Sequence, residues 1–270
     1  MWQAFEYTNQ FLLCNLLYNT TDMHYKRRSN ECHERLFMDI VTRVAKPELF
    51  VEVGAHEADT SLTLAKKLEN CTALALEADP EVFEHFEMEF DRSPPPPNFQ
   101  YINKAASDHS GVIPFFKQKQ KETQSDLYKN NSLMRKPGEL YDTTNVECVT
   151  LDAISQPELK RPTVLRIDVE GHLFEVLRGA TETLKNTIAI YAEVEDYEIW
   201  SGQKTVFQNY ELLKQAGFSP VTRDVETPGQ YNVFFLRNEL AFSRAYRGRI
   251  ALYFKELSVL NELAGRNVKV

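Results

Sequence analysis

Four short apolar runs each carry a carboxylate at or near their ends. Leu49-Phe50-Val51-Glu52-Val53-Gly54 carries Glu52, and Thr72-Ala73-Leu74-Ala75-Leu76-Glu77 ends on Glu77. Val164-Leu165-Arg166-Ile167-Asp168-Val169 carries Asp168, and Tyr191-Ala192-Glu193-Val194 carries Glu193, with Glu195 and Asp196 just beyond it. Runs of this kind read as buried strands, and the strand ends of an α/β sheet are where ligands gather. Gly54 lets the backbone pass close to a nucleotide-like ligand. Glu77 follows 23 residues later, and a carboxylate there accepts hydrogen bonds from both hydroxyls of a ribose. Two cofactor classes use that arrangement. A dinucleotide needs the repeated glycines of GxGxxG for its pyrophosphate, but His56 stands two residues after Gly54 and the next glycine is Gly111. S-adenosylmethionine has no pyrophosphate, so one glycine suffices, and Glu52 could pair with its methionine ammonium. Ala55, His56 and Ala78 adjoin these residues and are expected at the same cofactor.

The second constellation is Arg166-Ile167-Asp168-Val169-Glu170-Gly171-His172. Asp168 falls where a strand meets its loop, so it could bind the cofactor, orient a substrate hydroxyl or hold a metal. Imidazole titrates near neutrality, which suits His172 to take the proton of an attacking hydroxyl. Asp168, His172 and Glu170 are therefore the expected catalytic residues. Asp168 with Glu193 would offer oxygen ligands to magnesium or calcium, and no His or Cys cluster has zinc spacing. S-adenosylmethionine is the expected cofactor, with a divalent metal left open.

The elements that must position these groups alternate along the chain. Residues 1–47 read as one or two helices ahead of the sheet, with Arg35 to Val41 at helical spacing. Helices are expected over Asp59–Leu68, from Asp79-Pro80 onward, over His172–Leu184, over Phe207–Ala216 and from about Glu239 to Leu263. Further strands are expected at Phe99–Asn103, Ile113–Phe116, Val146–Val149, Ile188–Val194 and Asn232–Leu236. Residues 117–142 are polar and aperiodic, a loop long enough to be functional or mobile. Such alternation gives right-handed βαβ units and a mostly parallel, doubly wound sheet. The chain divides into an N-terminal helical segment 1–47, a central domain 48–237 and a C-terminal helical tail 238–270. At 270 residues and 43% hydrophobic it can bury one large core. Its formal charge of −8 speaks against a phosphate-tracking nucleic-acid binder. The four cysteines form no CxxC pair, and no run is long enough for a membrane span. A cytoplasmic location with no membrane partner is the expectation.

These segments resemble the FkbM-type methyltransferases from about Leu49 to Leu236. Val53-Gly54-Ala55-His56, Ala75-Leu76-Glu77-Ala78-Asp79-Pro80 and Asn103-Lys104-Ala105-Ala106-Ser107-Asp108 are similar to family segments. So are Asn131-Ser132-Leu133 and Val149-Thr150-Leu151-Asp152. The most specific stretch is Leu165 to His172, continuing through Glu175-Val176-Leu177-Arg178-Gly179-Ala180. The resemblance implies the seven-stranded, Rossmann-like class I methyltransferase fold with helical additions at both ends. It implies S-adenosylmethionine as cofactor and O-methylation of a hydroxyl on a sugar, natural product or other small metabolite. It places Glu52, Gly54 and Glu77 at the cofactor, Asn103, Ala105 and Ala106 near its adenine end, Ser132 close by, and Asp168 at the methyl-transfer site. The chain departs from the pattern at His56, where the family has Asn, at Ala58, where it has Gly, and at Leu173, where it is acidic. A cofactor-binding protein without catalysis is thus one alternative, and a nicotinamide-dependent oxidoreductase another.

Overall fold

The computed structural model describes residues 23–119, 131–224, 229–241 and 243–266. Helix α1 (Met23–Ile40) runs into a π-type turn, Val41–Ala45. Then come β1 (Leu49–Val53), α2 (Asp59–Lys67), β2 (Thr72–Glu77), α3 (Pro80–Arg92) and β3 (Phe99–Asn103). A short β4 (Ala105–Ala106) leads to the long pair β5 (Gly111–Gln118) and β6 (Tyr141–Val149). After α4 (Leu151–Ser155) come β7 (Thr163–Ile167), α5 (Leu173–Arg178), α6 (Thr183–Asn186) and β8 (Thr187–Glu195). The chain continues through α7 (Val206–Gln215), β9 (Phe218–Arg223), β10 (Gln230–Arg237), α8 (Asn238–Ala241) and α9 (Arg244–Arg266).

Seven strands form one sheet in the order β3-β2-β1-β7-β8-β10-β9. Neighbouring pairs from β3 to β8 are parallel, and β10 runs antiparallel to both β8 and β9. The expected doubly wound α/β architecture is what the chain forms. The order turns back between β1 and β7, and the crevice above their carboxyl ends is the switch point where open α/β sheets bind ligands. All five residues of β1 are buried, as a central parallel strand covered on both faces requires.

Each face of the sheet has its own core. One includes Phe50, Val164, Tyr191 and Phe234 under α1, α2 and α9, and the other includes Val51, Leu165, Ile190 and Phe235. Helices α1 and α9 lie against each other, joined by Arg35–Glu256 at 2.5 Å and Arg249–Asp39 at 2.7 Å. Beneath α1, the buried His33 lies 3.1 Å from the Tyr191 hydroxyl and 2.9 Å from Thr222 Oγ1. No helix of the described residues is long and apolar enough to cross a membrane.

Burial lowers the His33 pKa from 6.5 to about 3. A histidine depressed in the fold contributes stability that is complete above its unfolded pKa and is lost as pH falls toward the folded one. The loss approaches about 1.4 kcal/mol per pH unit below pH 6.5. We expect chemical denaturation to report roughly 3 kcal/mol less stability at pH 4 than at pH 7 from this residue, and His33→Gln to flatten that slope. An unchanged slope would contradict the buried neutral imidazole.

Three differences from the sequence expectations have physical reasons. The helix expected over His172–Leu184 is two short helices, because Gly179 interrupts it. A Cβ there would lie 2.1 Å from the Ser107 carbonyl oxygen, so the backbones touch. Strand β9 was not anticipated. It sits at the sheet edge with Pro220 inside it, where a residue without an N–H is tolerated. The strands expected at Ile113–Phe116 and Val146–Val149 extend to Gln118 and back to Tyr141, and with β4 they make a separate three-stranded sheet. The strands take only residues 117–118 and 141–142 of the loop expected over 117–142. Residues 131–140 are bends and turns with a single bridge from Ser132 to Phe116, and residues 120–130 lie outside the described residues.

Candidate functional site

A cavity of about 510 Å³ opens at the carboxyl ends of β1, β2 and β7. Gly54 turns the chain out of β1 at φ +74°. The N–H groups of Gly54 and Ala55 both donate to the Leu76 carbonyl, at 3.0 and 2.9 Å. His56 and Ala58 also have positive φ, 46° and 57°. They occupy the places where the resembled family carries Asn and Gly, the residues that tolerate this conformation best. At Ala58 the strain of about 1 kcal/mol is offset by a methyl fully buried in the core. The departures thus keep the loop's shape.

Glu77 ends β2 at 8% exposure. Its carboxylate accepts from the His56 N–H at 2.9 Å and from the Asp79 N–H at 2.8 Å. Burial raises its pKa, and those two N–H groups pull it back. Each oxygen keeps a further lone pair for a ligand hydroxyl. Asn103 does not border the cavity. Its amide donates to the Glu77 carbonyl at 2.9 Å, so it fixes the end of β2 from behind. Tyr101 donates to the His56 carbonyl at 2.5 Å and stacks on Phe83.

Glu52, 4% exposed, has partners of its own. One oxygen accepts from the Ser61 N–H at 3.0 Å and the Ser61 hydroxyl at 2.6 Å, and the other lies 3.6 Å from Arg166. Burial raises its pKa, opposed first by Arg166. Arg166 also donates to Thr60 and reaches Glu34 of α1 at 3.8 Å. Glu52 borders the cavity as expected, but its charge is largely committed to the protein.

Asp168 borders the cavity one residue past β7, its N–H donating to the Val53 carbonyl at 2.9 Å. Burial raises its pKa against the pull of Arg166. Glu170, at φ 46°, also borders the cavity. Its carbonyl accepts from the Ser132 hydroxyl at 2.7 Å, and its carboxylate from Gln230 at 3.2 Å. The segment carrying Ser132 is latched a second time: Asn131 donates to Asp79 at 2.8 Å, and Lys117 pairs with Asp79 at 2.7 Å.

The cavity therefore brings together Glu52, Gly54, Ala55, His56, Glu77, Ala78, Ala105, Ala106, Ser132, Asp168 and Glu170. It does not include His172. That imidazole is buried, with Nε2 3.1 Å from the Ser107 hydroxyl and Nδ1 3.6 Å from Glu175. Burial lowers its pKa to about 4. The side chain pins the loop after β4 to the start of α5 and does not border the cavity. Glu193 also stands off the cavity, and among the described residues no group of three or more His, Cys, Asp or Glu is arranged for a metal ion. Arg166, Thr60, Phe115, Asn131 and Leu133 border the cavity without having been assigned a role. Arg166 and Asn131 stand beside assigned residues, but which neighbour faces a ligand depends on pleat and loop path.

The set suits S-adenosylmethionine. The volume falls within the range of roughly 300–1,000 Å³ usual for ligand pockets. The buried carboxyl of Glu77 and the partly buried one of Asp168 match a ribose diol and a positive sulfonium, and Ala78, Ala105, Ala106 and Phe115 offer apolar surface to a flat base.

Residues 52–220 match the family model described as the methyltransferase FkbM domain. No curated protein matches significantly. Similar solved structures include precorrin-6y C5,15-methyltransferase from Geobacter metallireducens, 10% identical over 69% of this chain and 77% of that one, with a TM-score of 0.37. Magnesium protoporphyrin IX methyltransferase from Synechocystis, solved with bound SAH, is 10% identical over 87% of this chain and 97% of that one, with a TM-score of 0.41. A methyltransferase from Pyrococcus furiosus is 15% identical over 76% and 82%, with a TM-score of 0.37.

Proposed function

The chain belongs to the FkbM methyltransferase family, and on that premise we propose that it transfers the methyl group of S-adenosylmethionine to a hydroxyl of a small metabolite, sugar or natural product. The observation that carries the reading is Asp168. It is the carboxylate that borders the cavity beside Gly54, with its pKa raised by burial. A carboxyl whose pKa is raised by burial is a stronger proton acceptor than an exposed one, which suits it to receive the proton that a hydroxyl gives up as it attacks.

Bound S-adenosylmethionine supplies an activated methyl group, and the protein supplies position and charge. Glu77 would hold the ribose hydroxyls. Ala55, His56 and Ala78 would line the nucleoside, with Ala105, Ala106 and Ser132 toward its base. Asp168 would orient the acceptor hydroxyl and take its proton, and Glu170 would fix the loop beside it through Ser132 and Gln230. Helix α1, tied to the site through Glu34 and Arg166, and the loop between β5 and β6 are our candidates for the acceptor's cover. The described cysteines Cys32, Cys71 and Cys148 are free and buried, which accords with a cytoplasmic setting.

The test is a panel of sugars, polyols, phenols and amines incubated with the protein and ¹³C-methyl-labelled cofactor. The carbon shift of the product reports whether oxygen, nitrogen or carbon was methylated. We expect a methoxy product. We also expect Asp168→Asn to lower turnover about 100-fold or more while SAH affinity changes little. Full turnover in that variant, or methylation on nitrogen or carbon, would overturn the assignment.

A further inference from the structure

Sheet register sets Asp168 beside a second carboxyl that does not border the cavity. Val53 pairs with Ile167, and Ile167 with Ala192. One step further along the same strands, Gly54, Asp168 and Glu193 stand in a row, and Glu193 is paired across to Asn232 of β10. Neighbouring parallel strands lie about 4.8 Å apart, so residues in register share a face, and the charge of Asp168 bears directly on Glu193. Gln230 of β10 holds Glu193 in place, its amide 2.9 Å from one Glu193 oxygen and 3.2 Å from Glu170.

The groups facing this pair come from every neighbouring element. Glu170 lies in the loop after β7, Glu195 is two residues on in β8, and Arg166 of β7 is the cation on the same face. Arg166 is also shared with Glu52 of β1 and Glu34 of α1, and packs 5.7 Å from the Tyr191 ring. Glu195 is 1% exposed, and its Oε1 has no hydrogen-bond partner. Arg166 pulls on Asp168, whereas the charges of Asp168, Glu170 and Glu195 all oppose ionisation of Glu193, so these crowded carboxyls are not all ionised together. The direction at each agrees: burial first, then Asp168, Glu170 and Glu195, push Glu193 up to about 10, and burial with Glu170 and Asp168 pushes Glu195 up to about 7.

We propose that Asp168 and Glu193 hold one proton between them without cofactor, release it to solvent when a sulfonium cation enters beside Asp168, and keep it when the neutral thioether product occupies the same place. This rests on the reading of the cavity as an S-adenosylmethionine site. Positive charge beside the pair replaces the proton as counter-charge; a thioether brings none. Glu193 is then a positioning residue, acting on the cavity only through Asp168, and it makes the site distinguish the charged methyl donor from its spent form.

The experiment is titration calorimetry of the full chain at pH 7 with S-adenosylmethionine and with SAH, each in two buffers of different ionisation enthalpy. The difference in apparent heat counts protons released. We expect binding of the sulfonium to release up to about one proton more than binding of SAH, and Glu193→Gln to abolish that difference while binding SAH as the wild type does. A second measurement needs no variant: the affinity ratio of S-adenosylmethionine to SAH should rise with pH, by at most about tenfold per unit. Equal proton counts for the two ligands, a ratio flat in pH, or an undiminished difference in Glu193→Gln would overturn the proposal. Failure of both ligands to bind would instead remove the cofactor reading, and this proposal with it.

Discussion

Gly54→Ala should cost the protein its cofactor site and a large part of its stability. The residue has φ +74°, and a Cβ there would lie 1.7 Å from the Asp168 carbonyl oxygen and 2.9 Å from its carbonyl carbon. Both are backbone atoms, so no rotamer change relieves the overlap. The Asp168 backbone is itself held, because its N–H donates to the Val53 carbonyl at 2.9 Å. Strands β1 and β7 would have to part at the crevice where the ligand binds. The left-handed conformation alone costs about 1 kcal/mol with a side chain, and overpacking against fixed atoms typically adds about 1–3 kcal/mol. A thermal melt should fall by about 10 °C, and SAH affinity by at least about 100-fold as the Glu77 and Asp168 carboxyls move apart. Ala58→Gly is the control, since it exchanges a small strain for a small loss of burial and should leave both measurements nearly unchanged. Wild-type SAH affinity in Gly54→Ala would mean that β1 and β7 do not approach as described.

Residues read most reliably from the sequence where local pattern and tertiary role agree. Leu49–Val53 and Thr72–Glu77 are short, mostly apolar runs bounded by turn residues, and both form largely buried strands of the central sheet. Asp79-Pro80 announces α3 by its cap, and the structure shows the Asp79 carboxylate accepting from the Glu81 N–H at 3.0 Å. What escaped was set by contacts distant in sequence. Strand β9 has an interior proline and becomes a strand only by pairing with β10. His172 sits in a motif that reads as catalytic, yet the fold places Ser107 against its ring, 65 positions away in the chain. Glu52 read as a partner for a ligand's positive charge because its strand position was visible, whereas Arg166 beside it is known only from the β1–β7 register. A strand-end carboxylate can thus be located from sequence, but its partner is decided by the neighbouring strand.

That partner makes Arg166→Met the second substitution with a large expected effect. Arg166 is 24% exposed at its side chain and stands 3.6 Å from Glu52, whose side chain is 6% exposed. Removing one member of a buried pair leaves the other desolvated, at a typical cost of about 3–5 kcal/mol. Glu52 would keep the Ser61 N–H and hydroxyl but lose the guanidinium that opposes its burial. Its pKa, already raised, would rise further. A carboxyl raised in the fold weakens stability as pH climbs above its unfolded value and costs nothing below it. The penalty of Arg166→Met should therefore be smallest near pH 4 and grow toward pH 7, opposite in sign to the His33 dependence. Glu52→Gln added to Arg166→Met removes the stranded charge while leaving a side-chain oxygen for Ser61. The double variant should recover at least about 1.5 kcal/mol of the loss at pH 7, measured by urea denaturation across the four-member cycle. Strict additivity, with a penalty independent of pH, would mean that Arg166 is held by its contacts to Thr60 and Tyr191 and that Glu52 is free to meet the positive end of the cofactor.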